Sequence, residues 1–202
     1  GRNGTILDTR IETDWSASPP IELWRQPIGP GWSSFAVSGD LFYTQEQHGE
    51  EEVVVCYILS SGEPLWRHRE VTRFWEAIGG PGPRATPTLN DGRVYTFGAT
   101  GILNVLDAGT GEVVWTRDVA SDIDVTIPMW GLSSSPLVID DIVIIAASSS
   151  SAAYELATGL LRWSGPKGGD GYSSPHRSMI DGEVQILLMS ADGLSSFAPA
   201  DG

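Results

Sequence analysis

The chain of 202 residues is poor in the residue types on which many enzymes and membrane proteins depend. It has one cysteine, Cys56, which cannot form an internal disulfide, and three scattered histidines, His48, His68 and His176. Cys56 stands in an apolar stretch, which indicates a buried small hydrophobe, because a catalytic thiol needs a histidine partner. There is no run of 18 apolar residues, so no membrane-spanning helix is predicted. No signal peptide stands at Gly1, and we expect a mature or trimmed chain.

Basic residues are also scarce, with 12 Lys and Arg against 26 Asp and Glu, a formal net charge of −14. This balance argues against nucleic acid or an anionic membrane as a general partner. The excess fits solubility, and recruitment of a basic partner is the alternative. The chain has no Gly-x-Ser-x-Gly elbow and no cluster with metal-ligand spacing. The glycine-rich residues 79–82 lack the lysine and helix of a phosphate loop. No catalytic residue and no metal ligand is therefore predicted.

The chain does contain a repeat built around tryptophan. Three copies pair a glycine with a tryptophan four residues later: Gly62 with Trp66, Gly111 with Trp115, and Gly159 with Trp163. Trp24 precedes them without such a glycine, and a fourth copy reaches its glycine at Gly202. Successive tryptophans of the three copies are 49 and 48 residues apart. A period of this length, with β-rich flanks and glycine turns, predicts the blades of a β-propeller.

We expect an all-β chain of four-stranded antiparallel blades, with about four blades present in a single partial domain, 1–202. The predicted blades are approximately 32–70, 83–118, 131–164 and 171–202, and a second repeated phrase opens each one. The first blade carries an acidic insertion, residues 50–52, in its second turn. The fourth blade lacks its tryptophan strand, whereas 21–28 resembles such a strand without a blade. That strand could close a four-bladed ring. The sequence ends at Gly202, inside a turn phrase, and this favours the interpretation that the chain is part of a larger ring.

The pattern Asp-x-x-Thr-Gly-x-x-x-Trp at Asp107, Thr110, Gly111 and Trp115 resembles the repeat of the pyrroloquinoline quinone (PQQ) dehydrogenases and their non-enzymatic relatives, the PQQ-like repeat propellers. The resemblance implies a ring of seven or eight blades and an extracytoplasmic location, periplasmic or secreted. It also implies that the repeat residues dock neighbouring blades and do not touch a substrate. The implied docking residues are Trp24, Gly62, Trp66, Asp107, Thr110, Gly111, Trp115, Thr158, Gly159 and Trp163.

The resemblance leaves two functions open. The favoured one is a non-enzymatic binding or scaffolding propeller that mediates protein–protein interaction, similar to the propeller lipoprotein of the outer-membrane β-barrel assembly machinery. The alternative is a fragment of a PQQ-dependent alcohol dehydrogenase, which would use PQQ and calcium. Such enzymes carry adjacent cysteines that form a disulfide beside the quinone, and this chain has only one cysteine. For the binding propeller we expect no cofactor.

A binding site is expected where the blades open. The opening phrases carry Trp32, Arg84, Trp130 and Tyr172, which could converge on one mouth of a central channel. Aromatic surface and one cation would suit another protein or a small ligand at the propeller face. The alternative is structural: Trp32 and Tyr172 would pack between blades, and Arg84 would pair with a carboxylate.

Overall fold

A computed structural model describes residues 9–202 of the chain, so Gly1, the start of the predicted domain, lies outside the described residues. The described part contains three four-stranded antiparallel sheets, one three-stranded sheet and a two-residue hairpin. Within each sheet, strands that follow one another in the chain are hydrogen-bonded neighbours. The predicted all-β fold of four-stranded antiparallel blades is confirmed.

The first blade comprises β1 (Ala36–Ser38), β2 (Leu41–His48), β3 (Glu51–Ile58) and β4 (Pro64–Glu70). It is followed by a hairpin of β5 (Trp75–Glu76) and β6 (Gly80–Pro81). The second blade comprises β7 (Thr88–Asn90), β8 (Arg93–Phe97), β9 (Ile102–Asp107) and β10 (Val113–Asp118), and then helix α1 (Val119–Asp122). The third comprises β11 (Leu137–Ile139), β12 (Ile142–Ala147), β13 (Ser150–Glu155) and β14 (Leu161–Ser164). The fourth sheet comprises β15 (His176–Ile180), β16 (Glu183–Ser190) and β17 (Gly193–Phe197).

The hydrophobic core lies between the blades. Every residue of β12, Ile-Val-Ile-Ile-Ala-Ala, is buried, whereas β4 alternates between half-buried and exposed positions. A strand that is apolar on both faces must be covered on both faces, and β12 is covered by the second blade on one side and by the fourth sheet on the other. One buried cluster accordingly joins Tyr95 and Phe97 of the second blade to Ile145 and Tyr154 of the third. The burial pattern of the strands thus requires neighbouring blades to stack.

Each repeat tryptophan contacts the glycine turn of the following blade. The indole N–H of Trp115 donates to the carbonyl of Leu156 at 2.9 Å, and its ring lies against Gly159. The other copies repeat this contact: Trp24 with Leu59 and Gly62, Trp66 with Ala108 and Gly111, and Trp163 with Pro199 and Gly202. Four rings therefore join consecutive turns by the same hydrogen bond and the same close approach.

The segment 21–28 differs from its prediction as a strand. It has no strand assignment, and no sheet within residues 9–202 includes it. Its backbone has no ladder partner. The indole of Trp24 binds the carbonyl of Leu59, and directly after the segment the N–H of Gly29 donates to Glu46 Oε2 at 2.8 Å. An extended segment without a paired neighbour cannot form a sheet.

Over the described ranges, no helix has the length and apolarity that crossing a membrane requires.

Candidate functional site

The structure places the four predicted site residues around one cavity. Trp32 precedes β1, Arg84 precedes β7, Trp130 precedes β11 and Tyr172 precedes β15. The cavity has a volume of about 310 Å³ and is lined by Trp32, Glu76, Ile78, Gly79, Arg84, Trp130, Ser133 and Tyr172. The four residues come from four successive blade openings, so the sequence repeat brings them to one place.

A chain of hydroxyl hydrogen bonds holds the blade openings together. The backbone N–H of Ser34 donates to Thr86 Oγ1 at 3.0 Å, and the N–H of Thr86 donates to Ser135 Oγ at 3.0 Å. The N–H of Ser135 continues the series to Ser174 Oγ at 2.9 Å. Each opening phrase carries Ser or Thr at the equivalent position, which explains the repetition of these polar residues. The series fixes the spacing of the residues that line the cavity.

Arg84 is buried beside this cavity and is bonded to several of the segments that line it. Its side chain is 8% exposed, and it pairs with Glu76 Oε1 at 3.3 Å. The remaining hydrogen bonds of the guanidinium go to the carbonyl oxygens of Gly80, Pro81, Gly82 and Trp130. The group also lies 5.1 Å from the centre of the Phe74 ring. Burial lowers the pKa of Arg84, and the nearby carboxylates oppose that shift. All three nitrogens are bonded within the protein, so the guanidinium ties the β5–β6 hairpin to the next opening.

Glu76, the partner of Arg84, also binds backbone amides of its own hairpin. Its carboxylate accepts hydrogen bonds from the backbone N–H groups of Ile78, at 2.6 Å, and Gly79. The carbonyl of Gly79 in turn accepts from the indole N–H of Trp32 at 2.8 Å. The Arg84–Glu76 pair thus positions both the hairpin and one of the rings. This agrees with the structural alternative for Arg84, whose partner carboxylate is Glu76.

Large apolar side chains are exposed around the cavity. The exposed fractions are 65% for Trp32, 47% for Trp130 and 39% for Tyr172. The rings of Trp130 and Tyr172 are 5.4 Å apart and tilted by 41°. Ile78, on the hairpin, is 82% exposed. We call Trp32, Ile78, Trp130 and Tyr172 together the aromatic mouth. A contiguous exposed apolar surface of this kind is typical of an interaction site.

Two buried glutamates in the first blade escaped the sequence analysis. Glu46 accepts from the Tyr57 hydroxyl at 2.6 Å and lies 2.7 Å from His48 Nε2. Glu52, predicted within a turn insertion, lies instead in β3 and accepts from the N–H of Ala99 at 3.2 Å. Burial raises the pKa of Glu52 to about 7. The acidic run 50–52 gave no signal of burial, because charged residues are usually exposed. The β2–β3 turn is shorter than the sequence predicted, and β3 begins already at Glu51.

The cation at the cavity is not free to bind the carboxylates of PQQ, because protein oxygens already accept from the guanidinium of Arg84. Within residues 9–202, no group of three or more His, Cys, Asp or Glu residues could hold a metal ion. Cys56 is buried in β3, where burial raises the pKa of its thiol to about 11.

Comparisons with known proteins agree on the fold. The family model described as outer membrane protein assembly factor BamB matches residues 20–202. No curated protein matches the chain significantly. Among solved structures, BamB from Moraxella catarrhalis is 19% identical with a TM-score of 0.62, over 82% of this chain and 48% of that one.

Two further solved structures are similar. Quinohemoprotein alcohol dehydrogenase ADHIIG from Pseudomonas putida HK5 is 15% identical with a TM-score of 0.59, over 88% of this chain and 34% of that one. The computationally designed protein Ika4 is 14% identical with a TM-score of 0.56, over 89% of this chain and 98% of that one. The chain spans about half the length of the BamB structure and about a third of the dehydrogenase.

Proposed function

The chain belongs to the PQQ-like repeat β-propeller family described as outer membrane protein assembly factor BamB, and from this premise we propose that it is a non-enzymatic propeller that binds another protein. The location we propose is extracytoplasmic, in keeping with the outer membrane in the family's description. The partner binds at the aromatic mouth.

One observation carries this proposal: three large rings stay exposed at a place where the surrounding polar groups are already paired. Trp and Tyr dominate the binding energy of protein interfaces, because they bury a large area at a small entropic cost. The cavity of about 310 Å³ is at the small end of the range for small-molecule sites, about 300–1,000 Å³. The exposed rings are therefore better suited to contact a protein that packs on them from outside than to enclose a small ligand.

Dehydrogenase activity is the second candidate, and the likeness to ADHIIG is what favours it. The donor set around the cavity does not support it, because Arg84 and Glu76 satisfy each other and the neighbouring backbone. An absorbance change on adding PQQ and calcium, together with dye-linked alcohol oxidation, would favour this candidate over the binding propeller.

Site-specific photo-crosslinking tests the proposal. A benzoylphenylalanine in place of Ile78, on the hairpin, puts the reactive group in the mouth itself, and adducts are identified after irradiation with an envelope fraction. We expect a discrete adduct with the otherwise unchanged chain. The triple variant Trp32→Ala, Trp130→Ala, Tyr172→Ala should lose most of that adduct, because each ring lost costs on the order of 1–2 kcal/mol of binding.

The matched control removes three exposed apolar side chains that do not line the cavity: Leu65→Ala, Leu160→Ala and Leu194→Ala, with exposed fractions of 49%, 55% and 63%. This control should keep the adduct. Equal adducts in both triple variants would show that the aromatic mouth does not bind the partner, and the proposal would then be wrong.

A further inference from the structure

The aromatic mouth carries two hydrogen-bond donors that the protein itself does not use. Within residues 9–202, the hydrogen bonds of Trp130 and Tyr172 run through their backbone carbonyls, which accept from Arg84 Nε and Ser133 Oγ. The indole N–H of Trp130 and the hydroxyl of Tyr172 have no protein acceptor there, although the two rings are in contact at 5.4 Å. A partner that supplies carbonyl oxygens next to apolar groups satisfies both rings at once.

Charge restricts the partner further. The chain has a net charge of −14, and the cation at the cavity, Arg84, is 8% exposed and bonded to Glu76. An acidic partner would meet repulsion that Arg84, already paired, does not offset. A basic partner would be attracted by the field of the whole chain. The flanks of the bound segment should therefore carry Lys or Arg.

The hydrogen bonding of the mouth disfavours two common modes of peptide binding. Addition of a strand needs free backbone groups on a sheet edge, and the N–H groups of Ser34 and Thr86, at the blade openings, are already bonded to hydroxyls. The carbonyls of a docked α-helix are bonded within the helix, so they are not available to the indole N–H of Trp130 and the hydroxyl of Tyr172. An extended segment with unbonded carbonyls remains.

On the basis of the function proposed above, we propose that the aromatic mouth binds a proline-rich segment in the polyproline II conformation, flanked by Lys or Arg. Polyproline II leaves every backbone carbonyl unbonded, so its carbonyls can accept from Trp130 and Tyr172. Its proline rings are compact apolar groups that pack on exposed aromatic rings, and its preformed shape lowers the entropy lost on binding. This combination matches the rings and the free donors of the mouth and the net charge of the chain.

Fluorescence anisotropy of dye-labelled peptides tests this inference with the full chain. The probe is octaproline with two lysines at each end. One comparison peptide keeps the lysines and replaces the prolines by alternating Gly and Ser, and another keeps the prolines and replaces the lysines by glutamates. We expect saturable binding of the probe, at least about tenfold weaker binding of the glutamate peptide, and a smaller difference at high salt. The Gly-Ser peptide should not bind measurably.

Conservative variants test the two donors. Trp130→Phe and Tyr172→Phe keep an aromatic ring but remove the N–H or the hydroxyl, so each should weaken probe binding about fivefold, the equivalent of one hydrogen bond. Trp15→Phe is the control, because Trp15 is 62% exposed and does not line the cavity. It should leave the affinity unchanged. Circular dichroism checks that every variant is folded.

The outcomes separate this inference from the proposed function. If the Gly-Ser peptide binds as well as the probe, or both Phe variants bind like the parent chain, the polyproline inference is overturned. If the probe does not bind but the crosslink at position 78 still depends on the three rings, the inference also falls and the proposed function stands. Loss of both results overturns both.

Discussion

Trp115 lies so close to Gly159 that the glycine cannot be replaced without moving the ring. A β-carbon at Gly159 would stand 2.7 Å from Cδ2 of the indole, and its φ of +68° already disfavours any other residue. We therefore expect Gly159→Ala to lower the free energy of unfolding by about 2–4 kcal/mol, the sum of backbone strain and overpacking. Urea denaturation followed by circular dichroism measures this loss.

Gly92 offers the matched control for this substitution. Its φ is +69°, almost the same as at Gly159, but nothing lies within 4 Å of the position that a β-carbon would take there. Gly92→Ala should therefore cost only the backbone term, about 1 kcal/mol. Equal losses at the two glycines would show that the contact with Trp115 contributes nothing.

Glu52 should make the stability of the chain depend on pH. Burial raises its pKa from 4.5 to about 7, and Glu70 lies directly opposite it in the β3–β4 ladder. The folded state therefore favours the protonated form. This contribution is fully present below the unfolded pKa near 4.5, and it is lost as the pH rises through about 7. The loss in the free energy of unfolding accumulates between about pH 4.5 and pH 7 and reaches about 3 kcal/mol.

The variant Glu52→Gln tests this dependence because glutamine is neutral and still offers an oxygen to the N–H of Ala99. Relative to the parent chain, it should gain stability as the pH rises from about 4.5 to 7. Glu63→Gln, at an exposed position in the turn before β4, serves as the control. A pH-independent difference between Glu52→Gln and the parent chain would contradict the assignment.

Cys56 should report on the opening of the interface between the first two blades. It is fully buried in a cluster with Tyr43, Val54, Val94 and Leu106, against which Trp66 packs. Burial also raises the pKa of its thiol to about 11, which leaves little reactive thiolate at about pH 8.

Labelling of the native chain with iodoacetamide should therefore be orders of magnitude slower than labelling in urea. Trp66→Ala should accelerate native labelling, because it removes part of the cover over Cys56. Trp163→Ala should accelerate it less, since Trp163 belongs to the cluster between the third and fourth sheets. Fast labelling of the native parent chain would be incompatible with this burial.

The fold could be predicted because each blade repeats the same local chemistry. Asp91 and Gly92, both at positive φ, form a two-residue hairpin turn of the kind that this dipeptide predicts. The direction of the tryptophan contact could not be predicted, because Gly111 is four residues from Trp115 in sequence but contacts Trp66. Spacing along one strand does not indicate which neighbouring blade the ring faces.

For the candidate site, the sequence predicted which residues lie together but not how Arg84 is bonded. Trp32 and Tyr172 meet at one cavity because they open equivalent blades, and a repeat places equivalent positions side by side. The partner of Arg84 could not be identified, since Glu76 lies on the β5–β6 hairpin, which is an insertion between two repeats. Contacts made by an insertion depend on its own path, and periodicity carries no information about that path.

The Arg84–Glu76 pair should behave as a buried unit on which the hairpin depends. The two side chains are 8% and 12% exposed, so removing one partner leaves a buried charge without compensation. Arg84→Met should therefore lower the free energy of unfolding by about 3–5 kcal/mol, as in other buried pairs. The double variant Arg84→Met, Glu76→Gln removes both charges and should recover a large part of that loss. Urea denaturation of the four combinations gives the coupling between the two residues.

Hydrogen exchange shows whether the effect of this pair is local. The amides of Ile78 and Gly79 donate to the Glu76 carboxylate, so they should lose protection in Arg84→Met, whereas the amides of β12, in the third blade, should keep theirs. Arg84→Lys keeps the charge but not the planar set of donors that reaches Gly80, Gly82 and the carboxylate together, so we expect partial protection. If Arg84→Met exposes the hairpin no more than it exposes β12, the guanidinium is not what holds the hairpin in place.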